Sequence, residues 1–339
     1  MDREATIGDI ARLAKVSVAT VSRVLNSKCQ EKWEGKKLQA EHIRKIAREL
    51  GYRPNASARA MRNGHGVQIS ILVNQIAPSP WEYELIEGAM DEFSRHAIQV
   101  AIIGGAGYFG ARGFPKELET NMFAGLIAIN PTENVRRDLD SRPHIWLDSN
   151  GYEPTGFINR DELAAGALCM ERIAALGHRK ALFVGIDRWE GCHHCVIDRE
   201  SGAADAAKRL GVEFRSVRTQ LFKSAMSRYE QELISSVKSG CALIAWNYAL
   251  ASWCVNKAAG HGLCPGKDYP LVCCEETHDT PVIWPELSRV SFDRPAMGAM
   301  AANGLMKLID KRISTFNSTI VKGDWIEGST CLKAGTGGR

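Results

Sequence analysis

Beyond residue 66, short apolar runs alternate with longer stretches in which apolar positions recur every three or four residues. The runs 67–73, 99–103, 126–129, 145–147, 181–184, 242–246 and 271–274 are strand candidates, mostly continuous rather than alternating, with Gln68 and Ser70 interrupting the first. Such runs fit strands covered on both faces, as in parallel sheets. Between them, 82–95, 163–176 and 249–261 carry the period of amphipathic helices. Strands alternating with helices predict sheets layered between helices, and this many units predict two lobes rather than one large sheet.

The first 66 residues follow a purely helical pattern. Thr6 is a good cap and Asp9 suits the positive end of a helix, after which Ile10, Leu13 and Ala14 give an apolar stripe. A second helix starts at Ser17, with Val21, Val24 and Leu25 inward. A third has Ile43, Ile46, Ala47 and Leu50 inward and stops at Gly51. Two short helices joined by about four residues form a helix-turn-helix, whose second helix presents its first turn to the DNA major groove. Val18, Ala19, Thr20, Ser22 and Arg23 then point outward. Arg23 can donate two hydrogen bonds to a guanine edge, worth about 1–3 kcal/mol of discrimination. Val18 and Ala19 can touch thymine methyl groups, while Thr20, Ser22 and the helix N-terminus suit phosphates; Thr6 and Ser17, at the helix starts, are also expected to contact DNA.

The charge distribution strengthens this picture. Residues 1–66 hold 14 Lys and Arg against 7 Asp and Glu, a net of +7; the chain as a whole is +4, so the remainder is −3. A basic end on a mildly acidic body suits a polyanionic partner. Met1-Asp2-Arg3-Glu4 lacks the start of a secretory signal, and no apolar run approaches the ~20 residues that span a bilayer. A cytoplasmic protein without a membrane partner is expected, its ten cysteines read as reduced thiols.

Two strings are more specific: Thr20-Val-Ser-Arg-Val-Leu-Asn26 within the segment from Ala5, and Gly51-Tyr-Arg-Pro-Asn-Ala-Ser-Ala-Arg59. Together they resemble the headpiece of the LacI/GalR family of transcription regulators. The resemblance implies that Val18 and Ala19 occupy variable base-reading positions and Arg23 an adjacent one. It also implies a hinge helix over 55–62, folding on double-stranded operator DNA. Asn55 opens that helix, Ala58 permits close approach, Met61 replaces the usual leucine wedge and Arg62 faces the minor groove or phosphates. Two departures stand out. Lys15 replaces a glycine of the turn, and residues 28–37 look about four residues longer than the usual connector. That connector is a surface loop carrying Lys36 and Lys37 towards phosphate, or an added DNA or partner contact at Trp33.

The body resembles the same family, through Ala175-Leu-Gly-His-Arg-Lys-Ala-Leu-Phe-Val-Gly185 and, towards the end, 303–311 and 327–330. The implied fold is a small all-α helix-turn-helix headpiece with a hinge helix, followed by an α/β two-lobed domain like type I periplasmic binding proteins. The implied organisation is 1–53 for the headpiece, 54–65 for hinge and linker, 66–158 with 289–320 for one lobe, and 159–288 with 321–339 for the other. The implied function is a regulator, in repressor form, whose DNA affinity is set by a sugar or sugar acid held between the lobes. It would act as a homodimer or higher assembly. By position, Arg199, Asn247 and Glu275 match effector-holding residues of the family, although Tyr248 and Glu275 differ from its usual choices. Trp81, Trp189 and Trp246 fall near strand ends, where an indole stacks on a sugar ring or simply packs in the core.

Gly105-Ala-Gly-Tyr-Phe-Gly110 mimics a dinucleotide fingerprint, but Gly113 and Pro115 fall where its helix would begin. Cys192-His-His-Cys195 could ligate a metal, yet adjacent residues rarely complete a tetrahedral set alone, so it reads as cleft lining. No catalytic residue, metal or cofactor is expected, and no enzyme motif is present. The rival readings are a nucleotide-dependent enzyme and a free sugar-binding protein; the second leaves the basic headpiece unexplained.

Overall fold

A computed structural model of the protein describes residues 7–26, 34–50, 68–73, 80–104, 123–131, 142–151, 153–188, 192–219, 227–275 and 286–331. The chain divides into two compact units, Met1–Val67 and Gln68–Arg339.

In the first unit, α1 (Ile7–Leu13), α2 (Val18–Asn26) and α3 (Glu34–Glu49) enclose a core of Ile10, Ala11, Val21, Val24, Ala40, Ile43, Ile46 and Ala47. Ser17 caps α2, its Oγ accepting from the Thr20 backbone N–H at 3.1 Å; such a cap is worth about 1 kcal/mol. Leu13, expected inside, is 53% exposed. At ~100° per residue the inward face of α1 centres on Ile10, Ala11 and Ala14, and Leu13 points about 110° away from it. Leu50, also expected inside, is 37% exposed because it lies past the end of α3. The connector expectation also needs correction. Helix α3 begins at Glu34, so Lys36 and Lys37 sit on its exposed first turns, not in a loop. Trp33 and the rest of the connector, Gly51 and the hinge stretch 55–62 lie outside the described residues.

The second unit contains two six-stranded sheets. The first, ordered β11-β5-β4-β3-β1-β2, comprises β1 (Gln68–Val73), β2 (Gln99–Gly104), β3 (Phe123–Ile129), β4 (His144–Leu147), β5 (Phe157–Arg160) and β11 (Thr319–Val321). All its pairings are parallel. Against it pack α4 (Pro80–Arg95) and, late in the chain, α9 (Arg294–Ile309). The second sheet, β12-β10-β9-β8-β6-β7, comprises β6 (Lys180–Ile186), β7 (Glu213–Thr219), β8 (Ala242–Ala245), β9 (Leu271–Cys273), β10 (Ser288–Ser291) and β12 (Asp324–Ile326). Only β10 and β12 pair antiparallel. Its helices are α5 (Glu162–Ala175), α6 (Cys195–Leu210), α7 (Ser227–Lys238) and α8 (Tyr248–Ala259).

The continuous apolar runs have a direct cause in these layers. Along β6, Leu182 and Val184 join one buried cluster while Ala181 and Phe183 join the one on the opposite face. The chain passes between sheets after β5, between β10 and α9, and between β11 and β12. Among the described residues the cysteines are free thiols, most of them buried, and no helix is long and apolar enough to cross a membrane.

Lys15, between α1 and α2, has a φ of 52°, a left-handed conformation that costs a non-glycine residue roughly 1–2 kcal/mol. This is the position where the resembled headpieces carry glycine. Replacing Lys15→Gly is therefore expected to raise the stability of the first unit by up to ~1 kcal/mol, since glycine's greater freedom when unfolded offsets part of the relief. Calorimetry of the full chain should resolve a higher first transition; an unchanged or lower one would contradict the strain.

Candidate functional site

Two pairs of helices cross at glycines, and each crossing sets an arginine beside a glutamate. A Cβ on Gly166 of α5 would lie 1.9 Å from the Arg199 carbonyl oxygen, and one on Gly202 of α6 would lie 1.9 Å from that of Leu163. Only glycine allows backbones to approach so closely, and the contact brings Glu162 to Arg199. Glu162 accepts from Arg199 Nε at 2.6 Å and from NH2 at 2.8 Å, and neither side chain is exposed. The other sheet repeats the device. Gly88 of α4 and Gly298 of α9 would meet backbone oxygens at 1.9 and 2.0 Å, and Arg294 pairs with Glu84 at 3.2 Å.

Both arginines reach one further carboxylate, that of Glu275, which follows β9. Arg199 approaches it at 2.6 Å from the side of the second sheet. Arg294 hydrogen-bonds it from the side of the first. Arg160, the last residue of β5, donates to Glu275 at 2.6 Å and also lies 3.0 Å from Glu162. Arg160 forks onto Asp148, just after β4, at 3.0 and 2.9 Å. Asp148 itself holds a φ of 52°. Asn159 fixes the segment after it, accepting from Ser149 N–H at 2.9 Å and donating to the Gly151 carbonyl at 2.6 Å. Every one of these residues stands at a strand's carboxyl end or at a helix start, the side of α/β sheets where ligands bind.

Asn150 joins the two sides a second time. Its amide donates to the Cys192 carbonyl at 3.1 Å and accepts from the His194 N–H at 2.7 Å. His193 Nε2 lies 3.2 Å from the Asp148 carbonyl oxygen, and its ring stacks on His194 at 4.2 Å.

The electrostatics follow from burial. Desolvation would raise the pKa of Glu275, but Arg199, Arg160 and Arg294 overcome it and hold the carboxyl well below its ordinary range. Burial likewise opposes ionisation of Asp148, and Arg160 with the nearby imidazoles still lowers it to about 2. Burial wins at His193, whose pKa falls to about 4 despite Asp148, so its ring is neutral near pH 7.

Of the residues expected from sequence to hold a ligand, three come together here: Arg199, Glu275 and Trp246. The Trp246 carbonyl accepts from Arg199 at 2.8 Å, the guanidinium lies 5.2 Å from its ring, and its Nε1 donates to the Cys195 carbonyl at 3.0 Å. Trp81, at the start of α4, lies 5.9 Å from the Arg160 guanidinium. Asn247 spends its side-chain oxygen capping α8, accepting from Leu250 N–H at 3.0 Å. Trp189 lies outside the described residues. Asp148, Arg160, Glu162 and Arg294 were missed. A signal existed: glutamate or arginine three or four residues before glycine opens all four crossing helices, as in Glu84–Gly88 and Arg199–Gly202.

In the first unit, Val18 (44% exposed) and Ala19 are exposed on the first turn of α2, and Ser17 and Thr20 bond each other at 2.9 Å. Ser22 and Arg23 follow on the same helix. Thr6, Asn55, Ala58, Met61 and Arg62 lie outside the described residues.

A helix-turn-helix unit joined to a two-sheet domain with a polar cleft defines a class, the ligand-responsive DNA-binding regulators. Comparison with known proteins specifies it. Residues 6–55 match the family described as bacterial regulatory proteins, lacI family, and residues 170–331 match the periplasmic binding protein-like domain. Residues 6–55 thus carry a lacI-family DNA-binding domain, and the relatives that match most of the chain are LacI/GalR family transcriptional regulators. It is 29% identical to the ribose operon repressor of Bacillus subtilis over 331 residues, covering 91% of this chain and 93% of that one. It is 25% identical to catabolite control protein A of Priestia megaterium, covering 94% and 96%. The fold matches the Lac repressor dimer bound to operator and the anti-inducer ONPF, with a TM-score of 0.78 at 20% identity, covering 97% of this chain and all of that one. It also matches a LacI family regulator from Enterococcus faecium with bound ribose, with a TM-score of 0.64 at 18% identity, covering 78% and 99%.

The lowered carboxylate pKa values set an acid limit. A depressed folded pKa stabilises the fold above the ordinary value, 3.8 for Asp148 and 4.5 for Glu275, and that stability is lost as pH falls through the folded value, about 2 for Asp148. The buried neutral His193 adds an earlier loss between 6.5 and about 4. Calorimetry of the full chain should therefore show the body's melting temperature declining gently below pH 6.5 and steeply below about 4.5. A flat profile from pH 7 to 3 would contradict the buried ion pairs.

Proposed function

We propose that the protein is a transcriptional repressor that dimerises through its body, sets α2 of each protomer in a major groove of operator DNA, and releases or tightens its hold when a sugar enters the cleft. The observation that carries this reading is the meeting of Arg160, Arg294 and Arg199 on Glu275, drawn from both sheets at the carboxyl ends of their strands. An effector that exchanges its hydroxyl groups for these contacts changes how the two sides are held. Ring faces at Trp81 and Trp246 offer apolar contact beside the charged groups. Since each guanidinium already has carboxylate partners, a neutral sugar fits the charge balance better than a sugar acid.

Relatives support the assignment, among them the ribose operon repressor and the solved regulator with bound ribose. Val18 and Ala19 are assigned to base contact and Arg23 to a guanine edge. Two headpieces then read half-sites about one helical turn apart, ~34–36 Å. In this reading the protein works in the cytoplasm, beside its DNA, and carries out no catalytic step.

The test begins with operator fragments selected from genomic DNA by the full-length protein. Fluorescence anisotropy with and without neutral sugars, ribose first, should reveal one that changes operator affinity roughly 5–150-fold, the range of ordinary allosteric coupling. The same sugar should raise the melting temperature of the body. Selection of no DNA, or a panel that shifts neither readout, would contradict the proposal.

A further inference from the structure

The carboxylate of Asp148 and the imidazoles of His193 and His194 each offer one ligand atom, and these atoms all lie within 4.8 Å of one another. On sequence alone, Cys192-His-His-Cys195 lacked a donor from another part of the chain. The fold provides an oxygen donor from 45 residues upstream. We propose that Asp148, His193 and His194 form a binding site for a divalent first-row transition cation, zinc or cobalt, which bridges the two sides of the cleft.

The donor chemistry suits such an ion. Two imidazoles and a carboxylate form a borderline set, with a fourth position for water. Tetrahedral bonds of about 2.0–2.2 Å require the donors to draw together by roughly 1 Å, within the reach of side-chain rotation. His194 is already oriented for the task. Its Nδ1 lies 3.0 Å from the Asp198 carboxylate, which leaves Nε2 as ligand and supplies the outer carboxylate that fixes the ring of a metal-bound histidine. His193 Nε2 lies 3.8 Å from Asp148 Oδ1. When it binds metal, the ring proton moves from Nε2 to Nδ1 and the weak contact from the Cys195 N–H to Nδ1, 3.3 Å long, is given up. No proton is released in that exchange. Asp148 keeps its fork with Arg160, because a carboxylate has about four lone-pair directions and the arginine uses two.

The carboxylates of Asp148 and Asp198 stand beside the two imidazoles, an environment that suits a cation. The cross-cleft bonds of Asn150 to Cys192 and His194 hold the ligand-bearing segments together before any ion arrives. Asp148 belongs with the first sheet, and the histidines precede α6 of the second, so a bound ion holds the cleft closed.

The full-length protein, stripped with a chelator and kept reduced, is titrated with cobalt(II) and followed by visible absorption and by melting temperature. One equivalent should bind with a four-coordinate spectrum and raise the melting temperature of the body. His194→Asn and His193→Asn should each abolish the spectrum. Asp198→Asn should weaken binding about 10–100-fold, as expected when an orienting carboxylate is lost. Cys192→Ser should leave the affinity unchanged. No saturable binding near one equivalent, binding retained in both histidine variants, or loss of binding in Cys192→Ser would each overturn the proposal.

Discussion

The body depends on a carboxylate shared by three guanidiniums. Glu275 accepts from Arg160 and Arg294 on one side and Arg199 on the other, all largely shut off from water. Taking such groups out of water costs several kcal/mol per ion, which only close and multiple pairing can offset. The web offsets it by connection: Arg199 and Arg160 share Glu162, and Arg160 also holds Asp148. Removing one member leaves the others buried and charged. A cleft built this way has discrete arrangements instead of a continuum, and that is a useful property in a switch.

The geometry that makes the web possible is carried by glycine. Gly166 and Gly202 on one side, and Gly88 and Gly298 on the other, let paired helices touch backbone to backbone. Each crossing lies one turn from an arginine–glutamate pair, so the charged groups are delivered by rigid elements rather than by loops. Electrostatic complementarity and close helix packing are thus one constraint expressed twice. A side chain at any of the four glycines would displace a helix and, with it, a guanidinium.

Much of the fold was legible because it is written locally. The turn between α1 and α2, the cap at Ser17 and the alternating cores of β6 all follow from neighbours in sequence. Other elements were not. Strand β7 reads Glu213-Phe-Arg-Ser-Val-Arg-Thr219, a half-exposed edge with five polar or charged residues among its seven, and β5, β11 and β12 are only three or four residues long. The cleft was legible in its second-sheet half, where Arg199 and Glu275 follow strands by family position. Its other half was not, because Arg160 lies 115 residues from Glu275 and Arg294 lies 210 residues from Glu84. Asn247 illustrates the opposite difficulty: its type suggests a ligand contact, while its side-chain oxygen serves the start of α8.

Glu275 energetically ties the two sides of the cleft together, and a double-mutant cycle measures the tie. Unfolding of the wild-type body would be compared with that of Glu275→Gln, Arg294→Gln and the double variant. The double variant should be less damaged than the sum of the singles, with a coupling of about 1–3 kcal/mol. Strict additivity would contradict it.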